Sequence, residues 1–173
     1  MPTIRKLTKL NVQITPHCLE GSLLPRYVDE ADYIVMDSPV KQPWPLGVNI
    51  DNLVILDFNP DAILASVEIL TPRKLWKRRV VSVFPEHEQE GSIRFLATRG
   101  LGSYFLLPPQ FTVYSSLDER VGVVLFGELD GETVGVRLSA GCLALVCLGN
   151  LVGFIFDMPP EARKRRSIES SID

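Results

Sequence analysis

Apolar and β-branched residues come in short runs along this chain, and each run is closed by proline, glycine or an Asn/Asp pair. Such a pattern cannot be drawn out into long helices; it makes short strands joined by turns. Leu10, Val12 and Ile14 alternate as a half-buried strand does, and Pro16 ends the run. Tyr33 to Met36, Leu46 to Ile50, Leu53 to Phe58 and Ile63 to Leu70 follow, separated by Pro43 and Pro45, by Asp51-Asn52 and by Asn59-Pro60-Asp61. Thr71-Pro72 has the form of a helix cap with proline at the first position, which predicts a short basic helix from Pro72 to about Arg79. Val80 to Phe84 then turns extended again. The second half supplies Ile93 to Ala97 and Tyr104 to Leu107 around a Gly100/Gly102 turn, then Phe111 to Tyr114, Val121 to Phe126, Thr133 to Leu138, Cys142 to Leu148 and Leu151 to Asp157. Asp130-Gly131 and Gly149-Asn150 lie between neighbouring runs at two-residue hairpin length, where positive φ is required, and predict two hairpins.

At 173 residues, 46% hydrophobic and 23% charged, the chain is long enough for one core and excludes multidomain helicases, kinases and large synthases. Eighteen Lys plus Arg against 21 Asp plus Glu leave a net charge of −3, without the basic excess of a general nucleic-acid coat. No window of about 18 apolar residues occurs, and no apolar stretch follows Arg5, Lys6 and Lys9, so no membrane partner is expected. Cys18, Cys142 and Cys147 are an odd number with no framework spacing, which predicts reduced thiols and a cytoplasmic setting.

The two halves match when laid over each other. Asp29-Glu30 precedes Ile34-Val-Met36 by the spacing at which Asp118-Glu119 precedes Val123-Val-Leu125. Leu46-Gly-Val-Asn-Ile50 corresponds to Val134-Gly-Val-Arg-Leu138, Leu53 to Leu56 corresponds to Leu143 to Val146, and Leu64 to Pro72 corresponds to Leu151 to Pro159. A few short strands bury only one sheet face, so two copies are expected to cover each other. The expected fold is mainly β: two related antiparallel meander units in one compact sandwich- or barrel-like domain, with few short helices. The units are residues 1–84 with the N-terminal strand and 93–160, joined by an exposed acidic connection, 85–92, and followed by a basic polar tail, 161–173.

Tyr27-Val-Asp-Glu-Ala-Asp-Tyr-Ile34, then Leu53-Val-Ile-Leu-Asp-Phe58, then Ala65-Ser-Val-Glu-Ile-Leu70 resemble a short bacterial domain-of-unknown-function family. That family's pattern is Tyr-Asp-x-x-Ala-Asp-x-Leu-Tyr-Ile, an apolar strand ending in Asp, and Val-Gly-x-Glu-Ile. The resemblance runs from Tyr27 to about Leu70, with a fainter echo from Tyr114 to Asp157 that lacks the Ala-Asp pair. Ala65 and Ser66 stand where the family has glycine. The resemblance implies a small bacterial β-meander and brings no catalytic residues with it.

Asp29-Glu30-Ala31-Asp32 spells a helicase magnesium box, but the chain has no Gly-x-x-x-x-Gly-Lys-[Ser/Thr] loop, so these acids are expected only to open a strand. His17 and His87 are the available imidazoles. Cys142 and Cys147, five apart on one strand, face opposite sides and cannot share a metal. No Gly-x-Ser-x-Gly elbow is present, and neither catalytic residues, metal nor cofactor are expected. Trp44, between Pro43 and Pro45, and the cluster Arg73, Lys74, Trp76, Lys77, Arg78 and Arg79 are the expected partner-binding residues. They suit a non-enzymatic bacterial factor of immunity or antitoxin type that occludes another protein. One alternative is a nucleic-acid-contacting regulator using Arg73 to Arg79, with Arg163 to Arg166 as a second basic cluster; another is a small hydrolase around His17 or His87. An open sheet edge could also support a homodimer.

Overall fold

The computed structural model describes residues 4–16, 23–38, 45–96 and 102–163. Among the described residues there are sixteen strands: β1 Arg5–Leu7, β2 Val12–Thr15, β3 Leu24–Val28, β4 Tyr33–Asp37, β5 Leu46–Ile50, β6 Val54–Phe58, β7 Leu64–Ile69, β8 Lys77–Arg78, β9 His87–Glu90, β10 Ser92–Phe95, β11 Gly102–Leu106, β12 Thr112–Ser115, β13 Val121–Leu125, β14 Thr133–Ser139, β15 Cys142–Cys147 and β16 Asn150–Asp157. They form two seven-stranded sheets, ordered β1-β11-β5-β6-β7-β4-β3 and β8-β12-β13-β16-β15-β14-β9, and a ribbon of β2 and β10. Neither sheet closes into a barrel. The fold is the expected mainly β sandwich, with mixed rather than purely antiparallel sheets, because β1, β8, β9 and β11 pair in parallel.

The sheets repeat one order. A hairpin (β3-β4, β12-β13) lies beside the last strand of a three-strand meander (β5-β6-β7, β14-β15-β16), and a parallel strand (β11, β9) joins the far side. The repeat extends to an irregularity. Pairing slips between Asp57/Ser66 and Phe58/Leu64 in the first sheet and between Leu145/Gly153 and Val146/Leu151 in the second, leaving Ala65 and Val152 as the extra residues. Each bulged carbonyl accepts a bond from just beyond the inner hairpin strand: Ser38 N–H to Ala65 at 3.2 Å and Phe126 N–H to Val152 at 2.9 Å. The sequence match is in phase for three of the four strand pairs. For β4 and β13 it is one residue out: Ile34 and Met36 face the core, whereas on β13 it is Val124, with Phe126 beyond the strand's end, that does so. A slip of one residue exchanges the faces of a strand.

The inner faces of both sheets share one core, which includes Val48, Leu56, Phe58, Val67, Val136, Phe154 and Phe156. The β2-β10 ribbon closes one end, where Phe95 stacks between Phe58 and Tyr104 at centroid distances of 5.4 and 5.3 Å. Residues 79–86 cross the outer face of the second sheet, bringing Val83 against the Leu143, Leu145, Cys147 and Val152 cluster.

Several expectations are corrected. β13 is flanked by β12 and β16, and β14 by β15 and β9, so Asp130-Gly131 does not join paired strands; residues 126–132 cross between separated ones. The β15-β16 hairpin exists, but its turn is Leu148-Gly149, both at positive φ (49° and 74°), one residue before the expected pair. Pro72 to Arg79 holds only a 3-10 turn, Arg73–Leu75, before β8. The acidic connection contains β9, an exposed edge strand parallel to β14. Val80 to Phe84, expected to be extended, joins no strand ladder. His17, Cys18, Trp44, Gly100 and Arg165 to Arg166 lie outside the described residues.

Candidate functional site

The chain leaves the first sheet at Ile69 and enters the second at Lys77, and this crossing is gripped by an acidic turn from each sheet. Asp32, left-handed at φ 54°, accepts Arg73 N–H on its carbonyl at 2.9 Å and Lys74 N–H on its carboxylate at 3.3 Å. Tyr27 O–H steadies the other carboxylate oxygen at 2.6 Å. The acidic box is therefore a structural turn that opens β4. From the second sheet, Glu119 (φ 58°) places one carboxylate oxygen 3.4 Å from Arg73 Nη2, while the other accepts a bond from Arg78 Nε. Arg73 is buried, and its charge is tolerable there only with such a counterion.

Trp76 is 1% exposed, set edge-on to Phe156 at 6.1 Å, and donates its indole N–H to Thr71 O at 3.0 Å. Arg73 stacks over its ring at 5.3 Å. Two of the expected partner-binding residues, Arg73 and Trp76, thus face inward, and Trp76 offers no surface for base stacking. The 3-10 turn is the cause, since its period of three residues puts Arg73 and Trp76 on the same inward side. Lys74, Lys77, Arg78 and Arg79 are exposed as expected.

Sequence reasoning missed the aliphatic side chains among these cations: Leu75, Val80 and Leu117 are 63%, 71% and 62% exposed. A leucine within the polar turn Ser116-Leu117-Asp118-Glu119 was the available signal. Arg79 N–H binds Ser115 O at 2.9 Å, which sets Val80 beside the turn that carries Leu117 and Arg120. Asp118 is held below the usual carboxylate range by the hydroxyl of Ser116 at 2.6 Å and then by Arg120 N–H. Among the described residues no carboxylate pairs with Lys74, Lys77 or Arg79. The result is a cationic end of the sandwich studded with three aliphatic side chains.

His87 is half exposed on β9, with Nδ1 3.2 Å from Glu132 Oε1, and no hydroxyl or thiol among the described residues bonds to it. Cys142 lies in the inner core beside Met36 and Cys147 in the outer cluster, on opposite faces of β15. Burial, with Asp157 nearby and Arg137 opposing, pushes the Cys142 thiol up to about 12. No group of three metal-ligating side chains is found among the described residues. No helix among them is long and apolar enough to cross a membrane. No protein-family model and no curated protein matches the chain.

Proposed function

We propose that this protein is a non-enzymatic binding factor of immunity or antitoxin type, which occludes an acidic protein partner through the end formed by residues 74–80 and the 116–120 turn. The observation that carries this reading is the placement of exposed Leu75, Val80 and Leu117 among Lys74, Lys77 and Arg79, which have no carboxylate partner among the described residues. Aliphatic anchors ringed by like charge suit an apolar depression rimmed by Asp and Glu, where the anchors supply affinity and the charges supply steering and register. Hydrogen bonds to Asp32 and Ser115 tie the crossing down, so little ordering entropy opposes binding. The same reading takes Tyr27 to Leu70 as a member of the bacterial family it resembles, copied once within the chain; the repeated strand order and bulge support the copying.

The test is affinity purification of the tagged protein from its native host, beside a Leu75→Asp/Leu117→Asp variant. A stoichiometric acidic protein retained by the first and lost by the second is expected. Recovery of no such protein removes the reading. Nucleic acid competes for the same cations, and with Trp76 buried it would be held by phosphate contacts. Binding of mixed-sequence nucleic acid that collapses between low and moderate salt would replace the protein partner with that one.

A further inference from the structure

At the end of the sandwich where β1 and β11 meet the start of β16, a cleft of about 540 Å³ opens between the sheets. Its floor is Leu10, Leu106, Phe126 and Leu151, each no more than 3% exposed and each part of the main core. The cleft therefore reaches the apolar interior, and whatever fills it extends the core. Its volume lies within the range of about 300 to 1,000 Å³ typical of small-molecule sites.

The rim restricts the occupant. Lys6 on β1 and Lys9 just after it stand on one wall, and Glu128 and Asp130 on the crossing between β13 and β14. Asp130 is in reach of the Cys147 thiol, with Sγ 4.0 Å from Oδ1. Two ammonium groups and two carboxylates leave the rim without a net charge that would draw in an anion or a cation. Either would also lose its hydration on the apolar floor. A molecule without net charge avoids that cost.

We propose that this cleft is a binding site for a net-neutral, largely apolar small molecule. The site is separate from the cationic end and does not depend on it. Two fluorescent probes sharing one skeleton test the assignment: neutral N-phenyl-1-naphthylamine and its sulfonate, 1-anilinonaphthalene-8-sulfonate. The neutral probe is expected to saturate at one per chain and to bind about tenfold more tightly than the sulfonate. Leu107→Trp, at an exposed wall residue, should plug the cleft. Leu148→Asn removes another wall while suiting the left-handed backbone at that position (φ 49°), so folding is retained. Each is expected to weaken the neutral probe about fivefold or more without lowering Tm. The Leu75→Asp/Leu117→Asp variant should bind the probe as the parent does, which separates failure here from failure of the proposed function. Unsaturable binding, equal or tighter binding of the sulfonate, or indifference to both cleft variants would overturn the proposal.

Discussion

Arg73 carries more of this molecule than its place in a basic run suggests. Glu119 forms ion pairs with both Arg73 and Arg78, and removing that carboxylate takes an ion pair away from a buried guanidinium. Glu119→Ala is therefore expected to cost about 3 to 5 kcal/mol in chemical denaturation, whereas Arg78→Ala, at a 48% exposed side chain, should cost about 1 kcal/mol or less. Trp76→Ala empties a core site and should cost about 3 to 5 kcal/mol. If Trp76 were instead a surface anchor, that variant would be nearly neutral in stability. The Cys142 thiol gives a pH dependence with a definite sign. Below about 8.5 the thiol is protonated in both folded and unfolded chains and contributes nothing. As pH rises from there toward about 12, the unfolded chain ionises and the folded one does not, so stability falls. Cys142→Ala should flatten that alkaline decline in urea titrations, and an unchanged slope would remove the argument.

Elements were legible where one face is buried. β5, β6, β7 and β13 to β16 alternate or run apolar because the core touches them, and their boundaries follow the turn residues. Asp51 and Asn52, both left-handed (φ 48° and 57°), make the β5-β6 turn that their side chains favour. β9 left no such trace, because His87 to Glu90 is exposed along its whole length and is a strand only by backbone pairing. β3 was hidden by Pro25 on an edge, and β8 by having only two residues. Val80 to Phe84 misled in the opposite direction: Val83 covers the outer face of a sheet without joining a ladder. The bulge supplies an element-scale prediction. A Cβ at Gly153 would stand 2.2 Å from Val124 O, so Gly153→Ala must push β13 and β16 apart and should cost about 1 to 3 kcal/mol by thermal melting. The corresponding position in the first sheet is Ser66, where a side chain is already accommodated.

At the scale of the molecule, residues 1–84 and 93–160 exchange strands. β8, from the first stretch, extends the second sheet, while β11, from the second, supplies the neighbour of β5 and the partner of β1 in the first. Each sheet is completed by chain from the other half. A fragment of residues 1–84 is thus expected to lack cooperative unfolding and a dispersed amide spectrum, since β5 would lose its parallel neighbour and Val48, Leu56 and Val67 their facing core. A dispersed spectrum from that fragment would show that the exchange of strands is dispensable.

Local chemistry alone determined that this chain makes short strands and turns and that Cys142 and Cys147 point apart, because side-chain alternation and turn dihedrals are properties of neighbouring residues. Strand neighbours, the burial of Arg73 and Trp76, the cationic end and the apolar cleft were decided only by the tertiary structure. Each of these depends on a partner far away in the chain, such as Glu119 for Arg73 or β14 for β9, and short-range pattern has no means of choosing among distant partners that would satisfy the same backbone groups and the same apolar faces.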